Sequence, residues 1–290
     1  MHPFAYVAPK TVEEAVAVLN KHGDKARPMA GGTDLLVQAR AGRFNLDAVV
    51  DMKSIPELVS VKNGASGLEV GAAVPCYKLY EDAKLSAQFP GIMDAASLIG
   101  GIQIQSRAGI GGNLCNATPS ADSICPSIVH YGTAVIAGPK GRREVAVEDF
   151  CTGPGKNALN KGELLVSLKF PKPAKTFGAA YERFIPRNEM DIAVAAVAAS
   201  VELSADKKTI KKARVALAAV GPTPILATAA GDALVGKSAD DEAAINAAGV
   251  AAAAAAKPIT DMRGTVEQRK HLVEVLTKRM VKKAIERARS

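Results

Sequence analysis

The chain has 290 residues, 48% of them hydrophobic and 23% charged, a composition that supports a packed core and excludes wholesale disorder. It has no Trp and only seven Phe and five Tyr, so the core must be aliphatic. The net charge of +8 is concentrated near the C-terminus. The basic residues there are not interleaved with aromatic residues and form no nucleic-acid recognition motif, so nucleic-acid binding is not indicated.

The length predicts two domains, and no apolar run approaches the roughly 18 residues of a membrane-spanning helix. The first six residues lack the pattern of a secretory signal, so we expect a cytoplasmic protein without a membrane segment. The four cysteines form no C-x-x-C pair and are too few for a disulfide scaffold, which predicts reduced thiols. The four histidines lack metal-ligand spacing, so no metal site is predicted.

Local signals predict the first elements of the chain. Thr11 and Glu14 form a capping box that begins a helix, and Gly23 ends it. An extended segment at 26–29 then leads into Ala30-Gly31-Gly32-Thr33-Asp34, where two adjacent glycines indicate a special backbone turn. This turn is the first candidate site.

Apolar patterns predict strands at 48–52 and 68–74 and helices at 77–85 and 92–99. Residues 100–126 are dense in loop-forming residues, and a loop of this length is usually functional.

Further strands are predicted at 133–137, 144–147 and 164–170, with a domain boundary near Lys175. Strands at 193–203 and 210–219 and Ala-rich helices follow, which predicts an α+β domain built on an antiparallel sheet. The terminal helix has an inward apolar stripe, with the basic residues as its solvated face. The stripe consists of Leu272, Val275, Leu276, Met280 and Ala284.

Residues 231–238 match the phosphate-loop pattern G-x-x-x-x-G-K-[ST], but their context does not fit a nucleotide site. Such a loop needs a strand before it, whereas Thr223 and Pro224 predict that a helix already runs through 225–234. Gly236 would cap that helix, and Ser238 with Asp241 resembles the capping box of the next one. We interpret the segment as a corner between two helices.

Paired glycines in Ala30–Asp34 and in Gly109–Asn113 allow backbone N–H groups to converge on an anion. Double glycines also form ordinary tight turns, but two such loops fit a diphosphate better than one. No G-x-S-x-G serine and no His–carboxylate pair is recognisable, so we expect the chemistry to come from a bound cofactor.

The residues around these loops carry a resemblance to a known family. Arg27–Leu35 resembles the first FAD-diphosphate loop of the flavoprotein (medium) subunits of molybdenum hydroxylases, the family of xanthine dehydrogenase, carbon monoxide dehydrogenase and 4-hydroxybenzoyl-CoA reductase. Residues 103–113 resemble their second loop. Further matches, in the expected order, lie at 116–119, Asp122, 163–165, 187–193, 221–224 and 261–264.

The resemblance implies an α+β protein: a two-lobed FAD-binding domain of the molybdopterin-dehydrogenase/vanillyl-alcohol-oxidase type, followed by a C-terminal α+β domain. The FAD-binding domain would span residues 1–175, with lobes of about 1–57 and 58–175, and the C-terminal domain residues 176–290.

The resemblance also implies which residues bind FAD. Those expected along the diphosphate are Met29, Ala30, Gly31, Gly32, Thr33, Asp34, Leu35, Leu36, Ala108, Gly109, Ile110, Gly111, Gly112 and Asn113. Asn116, Thr118 and Asp122 are expected near the ribityl chain or ring. Leu165 and Arg183 match positions that meet the flavin or adenine, although Leu165 could be strand core and Arg183 a surface pair.

Two departures from the family pattern matter. Gly109 stands where the family commonly has Thr or Ser, so a hydroxyl for the phosphate is missing and FAD affinity is expected to be weaker. The cysteine-rich loop of the 4-hydroxybenzoyl-CoA reductase type is absent, which predicts no iron–sulfur cluster in this subunit.

The function implied is that of an electron-transfer flavoprotein subunit that receives electrons from iron–sulfur clusters and passes them to an external acceptor. Its expected partners are a large molybdopterin-binding subunit and a small 2Fe–2S subunit, in a hetero-oligomer such as a dimer of heterotrimers. No side chain is expected to act as a catalytic acid or base. The alternatives are a free-standing FAD oxidoreductase and a flavin-free assembly subunit. The substrate and the acceptor (NAD, oxygen, a quinone or a ferredoxin) are not determined by the sequence.

Overall fold

The computed structural model describes residues 2–290, so residue 1 of the predicted FAD-binding domain lies outside the described residues. The described residues form three main sheets and a two-stranded hairpin, and helices pack against each of the main sheets. Within the described residues, no helix combines the length and the apolar character needed to cross a membrane.

The first sheet is small and parallel. Its segment contains β1 (Ala5–Val7), α1 (Val12–His22), β2 (Ala26–Met29), α2 (Leu35–Arg40) and β3 (Ala48–Asp51). The order is β1-β3-β2, and both outer strands run parallel to β3. The predicted cap of α1 is confirmed, because Thr11 Oγ1 accepts a hydrogen bond from the Glu14 N–H at 3.1 Å. Because parallel strands end at one edge, the first glycine loop lies beside the end of β3.

The second sheet is antiparallel and has the order β4-β5-β10-β6-β7, with β10 at its centre. Its segment contains β4 (Val61–Gly64), β5 (Gly67–Gly71), α3 (Tyr77–Tyr80), α4 (Ala83–Gln88), α5 (Pro90–Ala96), α6 (Ile110–Asn116), α7 (Ile124–Val129), β6 (Thr133–Gly138), β7 (Gly141–Ala146), α8 (Val147–Phe150), β8 (Cys151–Gly153), β9 (Lys156–Asn157) and β10 (Leu164–Pro171). Strands β8 and β9 form a separate hairpin.

The third sheet is antiparallel, which confirms the α+β arrangement predicted for the C-terminal part. Its segment contains β11 (Phe177–Phe184), β12 (Ala195–Leu203), β13 (Ile210–Ala218), β14 (Ile225–Leu226), α9 (Thr228–Asp232), α10 (Glu242–Ala255) and α11 (Val266–Arg289). The strands follow the order β11-β12-β13-β14. Strand β12 is buried on both faces: Val197 and Val201 belong to the core with α10 and α11, whereas Ala196 and Ala198 belong to the core of the second sheet's segment.

Residues 100–126 are less irregular than the sequence predicts. They include α6, which begins in the second glycine run, and the start of α7. Ile110 and Leu114, four residues apart, are both buried in the core. This packing outweighs the low helix propensity of the two glycines that follow Ile110.

The helix predicted at 225–234 is wrong at its start. Its first two residues form β14, which pairs with β13, and helix α9 begins only at Thr228. Strand β13 offers backbone hydrogen-bond partners to these two residues. The local Thr223-Pro224 pattern does not reveal them. Asp241, rather than Ser238, caps α10, with its Oδ1 accepting the Ala244 N–H at 3.0 Å.

Two further elements differ from the prediction. The helix predicted at 77–85 is divided into α3 and α4, because Asp82 accepts hydrogen bonds from the N–H groups of Lys84 and Leu85 and so begins a new helix. Strand β11 is absent from the predicted elements, although it pairs with β12 over eight residues. Its Gly and Ala residues are weak strand formers, and the packing of α11 against them is a tertiary effect.

The terminal helix is confirmed, but its basic residues are not all solvated. As predicted, α11 buries Leu276, Met280 and Ala284. Arg269 is only 4% exposed and donates to the carbonyls of Val194 and Ala219 at 2.9 and 3.0 Å. Arg287 forms a two-pronged ion pair with Asp94 at 2.6 and 2.9 Å. Arg269 and Arg287 therefore use their charge to hold α11 against the rest of the molecule.

All four cysteines carry free thiols. Burial raises the pKa of Cys76 and that of Cys115 to about 12, and the pKa of Cys151 to about 11. The thiols are therefore protonated at neutral pH and are weak nucleophiles.

Gly178→Ala is expected to lower the free energy of unfolding by about 2 kcal/mol or more. An added Cβ would overlap the carbonyl oxygen of Ala284 and lie 2.5 Å from the Ala288 nitrogen, so β11 and α11 would have to separate. Gly153→Ala is the control, since its Cβ would have Lys156 Cδ as its nearest neighbour at 3.7 Å. Urea unfolding of both variants measures the difference, and equal loss in the two would contradict this packing.

The buried His130 is expected to make the free energy of unfolding sensitive to acid. Burial, together with the Arg287 guanidinium, lowers the pKa of His130 to about 3. The unfolded chain therefore binds one more proton than the folded chain between about pH 6.5 and 3, and stability falls as the pH falls through that range, by up to about 1.4 kcal/mol per pH unit. Urea unfolding between pH 7 and 4 is expected to show a shallower pH dependence for His130→Leu than for the parent. The same slope in both proteins would contradict the assignment.

Candidate functional site

A cavity of about 480 Å³ lies between the two glycine loops. The first loop follows β2, and the second leads into α6. Leu164 and Leu165, at the start of β10, also line the cavity. Its volume is in the range of small-molecule and cofactor sites.

The first glycine loop, residues 30–34, connects β2 to α2. Gly32 has a φ of +75°, a conformation that favours glycine, so the predicted special turn is confirmed. The Gly32 carbonyl accepts the Leu36 N–H at 3.1 Å. Asp34 is one of the residues that line the cavity, and partial burial raises the pKa of its carboxyl group.

The second glycine loop, residues 108–113, packs against the chain that follows β5. A Cβ on Gly109 would overlap the carbonyl oxygen of Val74, and a Cβ on Gly111 would lie 2.6 Å from the Cα of Ala72. Gly112 is different, because a Cβ there would meet no protein atom within 4 Å. Gly109 and Gly111 are thus required by packing, whereas Gly112 leaves open space at the cavity wall.

The two loops contact each other directly. A Cβ on Gly31 would overlap the carbonyl oxygen of Arg107, so only glycine allows this approach of the two backbones. Beyond the loops, the Gln38 side chain on α2 donates to Asn116 Oδ1 on α6 at 3.1 Å. Both side chains also line the cavity.

The structure brings most of the predicted site residues together. The cavity is lined by Met29, Ala30, Gly31, Gly32, Thr33, Asp34, Leu35, Ala108, Gly109, Gly111, Gly112, Asn113, Asn116 and Leu165. Leu165 lines the cavity and is also buried strand core. The predicted residues outside the lining are Leu36, Ile110, Thr118, Asp122 and Arg183. Leu36 is 39% exposed, and Ile110 is buried in the core.

Arg183 is not a surface residue. It forms a buried cluster with Asp122 and Tyr181: Arg183 Nη1 and Tyr181 Oη each donate to the Asp122 carboxylate at 2.7 Å. Burial raises the pKa of Asp122, although the Arg183 charge and the two hydrogen bonds oppose that shift. The next residue, Ser123, donates to Asn113 Oδ1 through its N–H at 3.0 Å and its hydroxyl at 2.7 Å. The cluster thus connects β11 to the second glycine loop.

Several cavity residues were not predicted. Arg27, Arg43 and Lys161 line it as cations, and the guanidiniums of Arg27 and Arg43 lie 5.1 and 5.6 Å from the ring centroid of Phe44. Arg27 precedes the first loop and lies in the 27–35 stretch, so the sequence pattern could have identified it. Lys161 comes from a distant turn before β10, so no local pattern links it to the loops.

Residues 231–238 do not form a phosphate loop. Gly231 lies inside α9, and the Lys237 carbonyl and the Gly236 N–H both pair with Ile210, at 2.9 and 2.8 Å. The Lys237 side chain is exposed. The Gly236 N–H and the Lys237 carbonyl are therefore hydrogen-bonded to the first residue of β13.

Two family models together match almost the entire chain. The FAD-binding domain in molybdopterin dehydrogenase matches residues 2–173, and the CO dehydrogenase flavoprotein C-terminal domain matches residues 179–284.

Individual relatives agree with these matches. The carbon monoxide dehydrogenase medium chain of Afipia carboxidovorans is 34% identical over 289 residues, covering 99% of this chain and 98% of that protein. The xanthine dehydrogenase FAD-binding subunit of Escherichia coli O157:H7 is 31% identical, covering 98% and 97%. A solved structure of carbon monoxide dehydrogenase from Hydrogenophaga pseudoflava superimposes with a TM-score of 0.93 at 33% identity, covering 99% of each chain.

Gly31→Ala is expected to destabilise the protein by about 1–3 kcal/mol, because the methyl group would force the first glycine loop away from Arg107. Gly112→Ala, whose methyl group meets open space, is the matched control and is expected to leave stability unchanged or slightly raised. Thermal unfolding of the two cofactor-free variants makes the comparison. An unchanged melting temperature for Gly31→Ala would show that the loops are not held in contact.

Proposed function

The chain belongs to the family of FAD-binding subunits of molybdopterin dehydrogenases, with FAD as its cofactor, and from this premise we propose that it is the electron-transfer subunit of a multi-subunit molybdenum hydroxylase. In this role it takes electrons from iron–sulfur clusters and passes them to an external acceptor. Its proposed partners are a large molybdopterin-binding subunit and a small 2Fe–2S subunit, assembled as a dimer of heterotrimers.

One observation carries the proposal: two glycine loops from different parts of the fold line one cavity and touch each other. A diphosphate needs close backbone approach and N–H donors, and glycines supply both. Arg27, Arg43 and Lys161 add positive charge along the same cavity. The open space at Gly112 is the kind of cradle that a Cβ would fill.

We assign the site residues as follows. Residues 29–36 and 108–113 hold the diphosphate, Asn116, Thr118 and Asp122 lie near the ribityl chain or ring, and Leu165 and Arg183 serve the flavin or adenine. Asp122 and Arg183 also maintain the second glycine loop through Ser123. The proposed FAD-binding domain spans residues 1–175, and the C-terminal domain spans residues 176–290.

When bound, FAD supplies a centre that accepts electrons singly and releases them in pairs. The protein's residues have other tasks. The glycine loops bind the diphosphate, and the apolar Leu165 side chain excludes water beside the flavin or adenine. The buried Asp122–Arg183 pair keeps the wall rigid. No side chain of the chain is assigned a proton transfer.

The proposed function is tested by affinity purification from the native host, with mass spectrometry of the partners and a visible spectrum. One large companion, one small companion and flavin absorption bands are expected. Purified protein that shows no flavin band after supplementation with FAD would overturn the proposal, as would recovery of the chain alone.

Gly112→Ala separates cofactor binding from folding. We expect FAD to bind at least about tenfold more weakly, a loss of about 1.4 kcal/mol, because the methyl group enters space that the diphosphate needs. The stability of the cofactor-free protein should not fall, since Ala favours the first turn of α6. Fluorescence titration with FAD measures the affinity. A dissociation constant equal to that of the parent would contradict the assignment of the second loop.

A further inference from the structure

A charged cluster lies beside the first glycine loop, outside the cavity lining. The Lys53 ammonium donates to the Ala30 carbonyl oxygen at 3.0 Å. The same ammonium contacts the Asp51 carboxylate, which also accepts the Lys53 N–H at 3.1 Å and a hydrogen bond from the Tyr6 hydroxyl. Ala30 immediately precedes the glycine pair of the loop.

The parallel sheet places these residues together. Asp51 ends β3, the central strand, and is paired in register with Met29 at the end of β2. Tyr6 comes from β1 on the other side of β3. A short 3₁₀ turn at Met52–Ser54, capped by Asp51, then directs Lys53 to the loop that leaves β2.

Asp51 fixes the position of the Lys53 ammonium. Its side chain is 7% exposed, whereas that of Lys53 is 38% exposed. Burial acts to raise the pKa of Asp51, but the hydrogen bonds from Lys53 and Tyr6 outweigh it and hold that pKa below its ordinary value. The carboxylate is therefore ionised at neutral pH and keeps a cation next to the Ala30 carbonyl.

The hydrogen bond from Lys53 adds a restraint at the start of the loop, one residue before the Gly31 contact with Arg107. Gly31 and Gly32 have more backbone freedom than other residues, and fixing that freedom in one conformation costs conformational entropy. A charge-assisted hydrogen bond at Ala30 restricts the peptide group from which this flexible pair starts.

We propose that Lys53 is a positioning residue for FAD binding, which holds the Ala30 carbonyl so that the first glycine loop keeps the conformation that receives the diphosphate. The inference rests on the proposed function and extends it to a residue outside the cavity wall. Asp51 and Tyr6 orient Lys53, and none of the three is required to contact the cofactor.

The test uses the full chain in its purified complex, with FAD removed and then titrated back. Lys53→Met keeps the length of the side chain but removes the donor, and we expect FAD to bind about tenfold more weakly and to dissociate correspondingly faster. Lys53→Arg keeps a donor and is expected to remain within about threefold of the parent. Lys140→Met, in the exposed β6–β7 turn, is the matched control and should bind FAD as the parent does.

A double variant separates positioning from folding. Lys53→Met alone leaves Asp51 without its cation, whereas Asp51→Asn with Lys53→Met removes that buried charge as well. The double variant should unfold at the temperature of the cofactor-free parent and still bind FAD about tenfold more weakly. If it regains parental affinity, the role of Lys53 is only structural and the proposal is wrong.

Two other results would also overturn the inference. Parental FAD affinity in Lys53→Met means that the hydrogen bond to Ala30 does not position the loop. The second result is a loss of FAD affinity by the parent at high salt, down to the level of Lys53→Met. It would mean that Lys53 acts through its charge on the diphosphate. In both cases the parent still binds FAD, whereas a parent that fails to bind FAD contradicts the proposed function itself.

Discussion

The cavity depends on the backbone contact between Gly31 and Arg107. Two loops some 75 residues apart in the chain meet there without any side chain between them, because a single Cβ on Gly31 would overlap the Arg107 carbonyl oxygen. The contact brings residues 29–35 and most of residues 108–113 to one cavity, with the Ile110 side chain turned into the core instead. Where the two loops meet, the cavity wall is therefore formed by backbone, and its shape there follows from where glycine is present.

Two other parts of the fold hold the second glycine loop in place. Behind the second loop, Gly109 and Gly111 lie against the chain after β5, again in backbone contact. From the other side, the Asp122–Arg183 pair joins β11 to the loop through Ser123 and Asn113. The C-terminal sheet thus contributes to the rigidity of a cavity that it does not line. Removal of one partner of such a buried pair is costly, because it leaves an uncompensated charge.

The basic character of the chain has a related explanation. The concentration of Lys and Arg near the C-terminus suggests a solvated helix face, but Arg269 and Arg287 use their charge internally. Arg287 joins α11 to Asp94 on α5, and so ties the third sheet's segment to the second's. Guanidinium groups suit this task, because several fixed N–H donors satisfy carboxylates and carbonyls at the same time.

The sequence alone determined what depends on neighbours along the chain. The Thr11 cap of α1, the special turn at Gly31 and Gly32, the antiparallel C-terminal sheet and the family were predicted correctly, because caps, turns, alternation and ordered motifs are local in sequence. The second half of the predicted capping box differs, since the Glu14 carboxylate accepts the Lys10 N–H and not that of Thr11. Only the tertiary structure decided the other features. Strand β14 exists because β13 offers an edge, α6 is a helix because Ile110 and Leu114 find a core, and Arg183 is buried because Asp122 lies opposite it. These outcomes rest on contacts between distant residues, whose free energies outweigh local propensities of a few tenths of a kcal/mol to about 1 kcal/mol.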